Sequence, residues 1–596
     1  MMNLVNVLDH LEQGQLLRAQ LEPEPTYAFK HQLVQQAAYE SMLVHDRRAL
    51  HRAVGETLER LFDDRRYEVA EVLADHFERA GDRRKAFDYS VLAGEQALSR
   101  FATTEAAALL GRAIELSADV NLDDDSLLRL YQKRGRAFEL GGSYDAALTL
   151  YQDLERTGRE RSAPTLELAG IIGAASLFAV PTPLFDTRRA LELSERAAAL
   201  ASRAEDPASQ ARALWVQMIV QTRRDPEAAV QAGQASLAIA REHGLQEQEA
   251  FTLNDIQSNY LALGRSELAL GALEGARPIW QRLDNLPMLA DNLASTAFLH
   301  ALLAEYDLAL ERASESLAIS ERTGNLWGLS YGRAGITFVR FARGELGPAI
   351  QEATRCIELA ELAGFLYPQI ALRAILAIAY GQAGDFPTAH RIALKILEVQ
   401  RDHPLPGDVS GVATRVWVLV QQGDLDEAGR LMLVLGRPSV VENAAMFESP
   451  VAIVAAEPAY LLARREFSSA LELVDHYLSY FEKSPVRAIR PLLLLDRGRA
   501  LLGMGMSEEA RITLETCLSE MRSTGVEEGL WPVEAELAWL ADTDGRAGEA
   551  DRLFRSAAQH IESIAVGLRE LNLEEGFLGQ SHIRSIRERA ARSPSG

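Results

Sequence analysis

The chain has 596 residues and a formal net charge of −23, with 62 lysines and arginines against 85 aspartates and glutamates. A nucleic-acid-binding protein needs a basic surface, so this charge argues against nucleic acid as a partner. The two cysteines, Cys356 and Cys517, are too few and too far apart for a disulfide framework or a structural zinc site. Both lie in segments of helical periodicity, and we expect them in the core without a redox role.

No secretory signal or membrane span is predicted. The first residues lack a basic segment followed by an apolar stretch. The longest uncharged run, residues 168–185, is barely long enough to span a bilayer and contains Pro181 and Pro183. We expect a buried helix that ends at these prolines, and therefore a cytoplasmic protein without a membrane partner.

A helix, a hairpin and a second helix are predicted at the start of the chain. Residues 4–11 are apolar at helical spacing. Two short alternating stretches flank a proline-rich turn at 23–25, which predicts a β-hairpin. A helix is expected over 32–61. This order is that of the second half of a winged-helix fold, so we assign residues 1–60 to a partial winged helix with linker helices.

Residues 61–580 are predicted to be about twelve repeats of one unit. The unit has the form G-x-x-x-x-A, as in GDFPTA (384–389) and GDLDEA (423–428), and some copies lack the glycine. The twelve closing alanines, spaced 39 to 43 residues apart, are Ala106, Ala147, Ala190, Ala229, Ala269, Ala309, Ala349, Ala389, Ala428, Ala470, Ala510 and Ala550. Residues 581–596 are predicted to be a short basic tail.

Each repeat is interpreted as a pair of antiparallel helices. The glycine can adopt positive φ and end the first helix, and a following Asp or Ser can cap the second. The small alanine permits the two helices to cross closely. One such pair cannot bury both of its faces, so neighbouring pairs stack on one another. The sequence therefore predicts an all-α superhelix with a concave face.

These turn and crossing positions resemble those of the tetratricopeptide repeat. The usual period is about 34 residues, and the period here, about 40, is that of the lengthened variety in bacterial regulators such as the maltose-regulon transcription activator. The resemblance implies a tetratricopeptide-like fold and leaves the ligand open, because such folds host many functions.

The first hundred residues resemble the junction in bacterial signal-transducing NTPases, at Phe29 and His31, the run AAYES (37–41) and Ala80-Gly81-Asp82. Phe577–Arg587 resembles the C-terminal end of cyclase-linked members. In such proteins an AAA-like ATPase domain and a winged helix precede a helical-repeat array, and many carry an adenylate or guanylate cyclase.

This resemblance implies a possible role for His31, which in this class can contact the phosphate of bound ADP. The ATPase domain would have to be supplied in trans. The alternative is a structural histidine, buried between the hairpin and the next helix and hydrogen-bonded to the backbone.

Catalytic and metal motifs are not found in the sequence. No lysine follows a glycine, which excludes a P-loop, and no cyclase domain fits before residue 30. His45 and His51 are about 240° apart on a helix, so these two, with Asp46 and His76, are not expected to bind a metal. We expect a non-catalytic chain without a cofactor.

Polar side chains on the first helices of the pairs are candidates to line the concave face. An asparagine there can hold a peptide backbone through both its donor and its acceptor. The candidates are Asn254, Gln257, Asn259, Asn292, Ser295, Thr296, His300, Arg333, Thr337 and Arg340. The alternative for each is a solvent-facing side chain without a ligand. Four tryptophans are expected to pack between repeats: Trp280, Trp327, Trp417 and Trp531.

The function predicted from the sequence is a sensor or scaffold that binds a protein or peptide in its concave groove. It would couple this binding to an NTPase or cyclase module. One alternative is a free-standing adaptor for complex assembly, which would ignore nucleotide state. Another is a fragment of an adenylate cyclase or of a transcription activator, the latter predicting DNA binding.

Overall fold

The computed structural model describes residues 4–20, 26–222, 224–405, 408–435, 450–482 and 486–592. These residues contain 30 α-helices and one two-stranded hairpin, so the predicted all-α repeat fold is confirmed. The chain divides into two compact units, residues 1–138 (unit 1) and residues 139–596 (unit 2).

Unit 1 contains the hairpin and the first helices. Its elements are α1 (Leu4–Gln13), β1 (Leu17–Gln20), β2 (Thr26–Phe29), α2 (Gln32–Ser41), α3 (Val44–Leu61), a 3₁₀ segment (Asp63–Val69), α4 (Ala70–Ala80), α5 (Arg83–Ser99), α6 (Thr103–Ser117) and α7 (Asp124–Leu140), which ends just beyond the unit. The strands pair antiparallel with Leu17 opposite Phe29, which confirms the hairpin. The predicted turn at 23–25 lies outside the described residues, and the winged-helix assignment stays a prediction.

The helix predicted over 32–61 is in fact two helices. Met42 and Leu43 are extended, with ψ of 144° and 147°, and separate α2 from α3. In one continuous helix Tyr39 and His51 would be about 18 Å apart along the axis. The break instead brings the Tyr39 hydroxyl to 2.9 Å from His51 Nε2. His51 Nδ1 lies 2.9 Å from Nδ1 of His76, so these three side chains join α2, α3 and α4.

Unit 2 consists of consecutive helices that pack side by side. They are α8 (Tyr144–Arg161), α9 (Pro164–Ala179), α10 (Thr187–Ala204), α11 (Pro207–Gln221), α12 (Pro226–Glu242), α13 (Gln246–Ala262), α14 (Ser266–Arg282), α15 (Leu286–Leu302), α16 (Tyr306–Thr323), α17 (Leu326–Ala342), α18 (Leu346–Ala363), α19 (Leu366–Gln382), α20 (Phe386–Asp402), α21 (Ser410–Gln422), α22 (Leu425–Leu435), α23 (Pro450–Ala463), α24 (Phe467–Glu482), α25 (Arg490–Gly503), α26 (Ser507–Thr524), α27 (Leu530–Thr543), α28 (Ala547–Leu568), α29 (Glu574–Leu578) and α30 (Ser581–Arg592).

The repeat motif marks the start of the second helix in each pair. All twelve closing alanines lie near the beginning of a helix and are at most 1% exposed. Gly384 illustrates the turn: its φ is 84°, and it separates α19 from α20. The next residue, Asp385, caps α20 by accepting a hydrogen bond from the Thr388 backbone N–H at 3.1 Å. Both features were predicted from the motif.

The uncharged run at 168–185 forms the buried helix α9, which ends at Ala179, before the first proline, as predicted. Among the described residues, no helix combines the length and the apolar character that crossing a membrane requires.

Distant pairs of unit 2 are joined by backbone hydrogen bonds. The carbonyls of Pro181, Leu302 and Ala342 accept from the amides of Leu366, Arg487 and Glu527, at 3.1, 3.0 and 2.8 Å. Each donor lies 185 residues after its acceptor. Unit 2 therefore coils so that positions between four and five repeats apart touch, and we call these contacts the inter-turn bonds.

The predicted basic tail contains a packed helix, α30. Ile583 and Ile586 are buried, and α30 contacts α28. Arg589 pairs with Asp542 at 2.8 Å and with Asp551 at 2.9 Å. Residues 593–596 of this segment lie outside the described residues.

Two glycines provide a matched test of the inter-turn packing. A Cβ on Gly347 would overlap the backbone carbonyl of Gly567, whereas a Cβ on Gly271, within α14, would meet nothing within 4 Å. We expect Gly347→Ala to lower the free energy of unfolding by about 1–3 kcal/mol, because the two backbones must separate. Gly271→Ala should raise it by about 0.5–1 kcal/mol, because alanine favours the helix. Urea unfolding of both variants measures the difference, and equal midpoints would contradict the close packing.

Candidate functional site

The first helices of the pairs line the inner side of the curve in unit 2. Contacts from pair to pair join α11 with α13, α15 with α17 and α17 with α19, and among the described residues no comparable contacts join the second helices α12, α14, α16, α18 and α20. In a curved stack the closer elements lie on the concave side. Four of the half-buried positions on α13 are spaced three or four residues apart between buried neighbours: Gln248, Phe251, Asp255 and Ser258. This face of α13 is therefore the one directed into the groove.

Equivalent positions of this face recur every 40 residues. One series is Phe251, Asp291 and Tyr331, and a second is Trp215, Asp255 and Ser295. We call these six residues, together with Arg212, Phe298, Trp327 and Tyr367, the groove strip.

Hydrogen bonds connect the groove strip across successive pairs. Trp215 Nε1 donates to Asp255 Oδ2 at 2.8 Å. Ser295 Oγ donates to the Tyr331 hydroxyl at 3.3 Å. Phe298 contacts the ring of Tyr367 edge-on, with the centroids 6.2 Å apart. The strip thus brings aromatic rings, carboxyl groups and hydroxyls together on adjacent first helices, with Trp215 and Ser295 each only 5% exposed.

The two aspartates of the strip have strongly perturbed acidities. Burial raises the pKa of Asp255 to about 6, against hydrogen bonds from Trp215 and Asn254. Burial and then the charge of Asp255 raise the pKa of Asp291 to about 7. In the described part of the chain neither carboxylate has an ion-pair partner within 4.0 Å. Near neutral pH the strip therefore holds a carboxyl group that can exchange a proton.

Arg212 provides the cationic end of the strip. Its guanidinium carbon lies 4.1 Å from the centroid of Trp215 and 4.6 Å from that of Phe251, a cation–π arrangement. Burial lowers the pKa of Arg212. Nη1 reaches the Gln248 side-chain oxygen only at 3.5 Å. The Trp215 and Phe251 rings are tilted by 60° to each other, and the guanidinium packs against both of them.

Asn254 and Asn292, two predicted groove residues, are brought together but are buried. Asn292 Nδ2 donates to Asn254 Oδ1 at 3.0 Å, and Asn254 Nδ2 donates to Asp291 Oδ2 at 2.9 Å. Arg277 of α14 donates from Nε to Asn292 Oδ1 at 3.2 Å and from Nη2 to Thr296 Oγ1 at 3.0 Å. These side chains therefore connect helices behind the groove strip and hold Asp291 in place.

The other predicted residues are dispersed. Ser295 belongs to the groove strip, and Gln257 is half-buried beside it on α13. His300 is buried at the end of α15, where its Nδ1 lies 2.6 Å from Glu305 Oε2. Arg333 pairs with Glu352 of α18 at 2.7 Å. Ligand contact by any of these residues stays a prediction.

Asn259 and Thr337 are also buried, whereas the side chain of Arg340 is 37% exposed. Asn259 is fully buried, and its amide nitrogen and oxygen have no hydrogen-bond partner among the residues that the structure describes. Thr337 is buried and donates to the Arg333 carbonyl at 2.9 Å. Arg340 pairs with Glu345 at 2.6 Å.

His31 lies in unit 1, immediately after the hairpin. It occupies the N-cap position of α2, makes no side-chain capping bond and is exposed. The alternative of a buried, backbone-bonded histidine is therefore not what the structure shows. His45 contacts Asp46 at 2.9 Å, away from the contact between His51 and His76. Among the described residues no group of three potential metal ligands comes together.

The cysteines and two of the predicted packing tryptophans have structural environments. Cys356 and Cys517 are fully buried, and burial raises the pKa of each thiol to about 12. Trp280 is fully buried against Phe251. Trp531 stacks on His582 of α30 at 5.5 Å.

Sequence reasoning missed the aspartates and most of the aromatic residues of the strip. The residues predicted from the sequence were mostly amides and other small polar or basic side chains, whereas the groove-facing positions carry Trp215, Asp255, Asp291 and Tyr331. The period of 40 contained a usable signal, because these residues fall into two series of equal spacing. The signal is weak, since the residue type changes from one repeat to the next.

The chain is similar to a curated protein and to solved structures of other proteins. No family model matches the chain. The uncharacterized protein R02095 of Rhizobium meliloti (strain 1021) is 30% identical over 164 residues, which are 26% of this chain and 16% of that protein. The chain thus matches less than a fifth of the length of that relative.

The solved structures are helical but distant in sequence. A Rap protein in complex with competence and sporulation factor has a TM-score of 0.45 and 13% identity, over 60% of this chain and 98% of that chain. The APC/C hetero-tetramer Cut9–Hcn1 has a TM-score of 0.43 and 14% identity, over 85% and 96%.

The raised pKa of Asp291 predicts a pH-dependent stability. The carboxyl ionises near pH 4 when unfolded and at about 7 when folded, so stability falls as the pH rises between these values. Asp291→Asn keeps the oxygen that accepts from Asn254 and removes the charge. We expect it to raise the free energy of unfolding by on the order of 2 kcal/mol near pH 8 and to change little near pH 4.

Glu242→Gln, at an exposed position of α12, is the matched control and should show no such pH dependence. Urea unfolding at both pH values measures the effect. An Asp291→Asn variant less stable than the wild type near pH 8 would contradict the assigned burial cost.

Proposed function

We propose that the groove strip binds an extended peptide segment of a partner protein, and that the chain is a non-catalytic binding module. The observation that carries this proposal is the 40-residue recurrence of groove-facing polar and aromatic groups on adjacent first helices. Neighbouring helices lie about 10 Å apart, and an extended chain rises about 3.3 Å per residue. One repeat therefore matches about three residues of an extended peptide.

The chemistry of the strip fits such a ligand. Ser295, Tyr331 and the carboxyl of Asp291 can exchange hydrogen bonds with a peptide backbone. Phe298, with Trp327 stacked on Phe365 at 3.6 Å, supplies apolar surface for side chains.

Blocking the groove tests the proposal. Ser258 lies on the groove-facing side of α13, and Ser258→Arg would place a long charged side chain there. Peptides selected by phage display on the whole protein would be measured by fluorescence anisotropy. We expect Ser258→Arg to weaken them at least about tenfold, because it occupies the space of the peptide.

Glu242→Arg adds the same side chain at an exposed position of α12 and is the matched control, expected to leave affinity unchanged. Equal affinity for both variants would place binding outside the groove. Failure to select any peptide would also count against the proposal.

We further propose that this module serves a nucleotide-switched regulator in the cytoplasm, with an NTPase or cyclase domain that responds to the bound peptide. The hairpin β1–β2, followed at once by α2, supports this context, as does the exposure of His31 at the junction. An immunoblot of the source cells with antibody to unit 2 should detect a protein much longer than 596 residues. A band of the size of this chain would instead favour the free-standing adaptor.

A further inference from the structure

A second concave site lies away from the groove strip, between two turns of the coil in unit 2. It is a cleft of about 760 Å³, lined by the start of α16, the connection from α17 to α18, the end of α26 and the C-terminal half of α28. The inter-turn bond from the Glu527 amide to the Ala342 carbonyl lies at its edge. Both turns contribute walls, so the cleft exists only while they are in contact.

One residue that lines this cleft, Tyr306, carries a buried hydroxyl. Tyr306 is 4% exposed, and among the described residues its hydroxyl oxygen has no hydrogen-bond partner. A buried hydroxyl without a partner is costly, and such groups are few in folded proteins. The observation points to a partner that the unliganded protein does not contain.

Two basic side chains line the same cleft. Arg343 lies with its guanidinium carbon 5.6 Å from the Tyr306 ring centroid and pairs with Asp307 at 2.6 Å. His560 Nδ1 lies 3.0 Å from Oε2 of Glu534, which is 1% exposed. This contact raises the pKa of His560 and orients the ring, as a carboxylate does for a functional histidine.

The acidic side chains of the cleft are more solvated or already paired. Asp307 is 95% exposed, so its ion pair with Arg343 is weak and can be exchanged. Glu345 pairs with Arg340, and Glu527 is exposed. The side chains of Arg343 and His560 are only 31% and 35% exposed. Among the acidic and basic side chains that line the cleft, Arg343 and His560 are therefore the least exposed, followed by Glu345 at 38%.

We propose that the cleft binds a small organic anion, a carboxylate or a phosphate, with its oxyanion held by Tyr306, Arg343 and His560. The half-buried side chains of Trp531 and Ile564 form an apolar wall for the body of the ligand. The ligand contacts both turns and therefore stabilises their association. The cleft is separate from the groove strip, and anion binding in the cleft does not require a peptide in the groove.

The test uses 4-(trifluoromethyl)benzoate as the probe, with its neutral amide as the matched control, and ¹⁹F NMR titration of the whole protein. The benzoate should bind and raise the melting temperature, and the amide should bind at least about tenfold more weakly. Competition with inorganic phosphate distinguishes the two classes of anion. Displacement of the benzoate by phosphate indicates a phosphate site, and no displacement indicates a carboxylate site. No binding of benzoate or phosphate at millimolar concentration overturns the proposal, as does equal binding of benzoate and amide.

Tyr306→Phe locates the site. It removes a hydroxyl that has no partner in the free protein, so unliganded stability should be unchanged or raised. We expect benzoate affinity to fall about tenfold, a loss that a merely structural role would not produce. Asp307→Asn is a control with the opposite expected effect. It removes the carboxylate that pairs with Arg343, so the benzoate should bind more tightly. Unchanged affinity in Tyr306→Phe overturns the assignment to this cleft.

Discussion

The close crossing of two helices at a buried alanine is the constraint on which the rest of unit 2 depends. Ala309, Ala349 and Ala389 have at most 1% of their surface exposed, 40 residues apart, at the start of successive second helices. A larger side chain would separate the helices of its pair and change the rotation from one pair to the next. Because that rotation accumulates along the array, the small side chain also fixes which first-helix residues face the groove and which turns meet.

Groove and cleft are two consequences of one curvature. The groove strip forms where first helices converge on the inner side, and the cleft forms where the coil closes on itself. Ligands of the two sites would share the same conformational equilibrium if the turns separate. Each ligand would then alter the affinity for the other by the same factor, since coupling between binding sites is reciprocal.

Local patterns predicted the elements of this fold well. The turn glycines, the capping Asp385 and the buried alanines could be predicted because their roles depend on backbone sterics and side-chain size. These properties are determined by residues close together in the sequence. The hairpin followed from alternation around a proline-rich turn. The break after Ser41 was missed, because no glycine or proline marks it and contacts of Tyr39 and His51 with other helices stabilise it.

The candidate site was harder to predict for a physical reason. A period of 40 identifies equivalent positions but not the side of the helix that faces inward, and both sides of a first helix are largely buried. Asn254 and Asn292 have the polar character expected of a groove, yet they satisfy each other behind it. The same groove position carries chemically different residues in successive repeats: Phe251, Asp291 and Tyr331. The cleft depends on residues 185 apart meeting, which depends on small rotations summed over several pairs.

The regular spacing of the inter-turn bonds restricts how such an array can evolve. In an open solenoid each repeat touches only its neighbours, so a duplicated repeat can be inserted without loss elsewhere. In unit 2 the carbonyls of Pro181, Leu302 and Ala342 are matched to amides a fixed distance along the chain. One extra pair inserted after Ala342 and before Leu366 would displace all three donors at once. The number of repeats in this region therefore cannot change without breaking these bonds. Adding a repeat by duplication would require a new pitch for the whole coil.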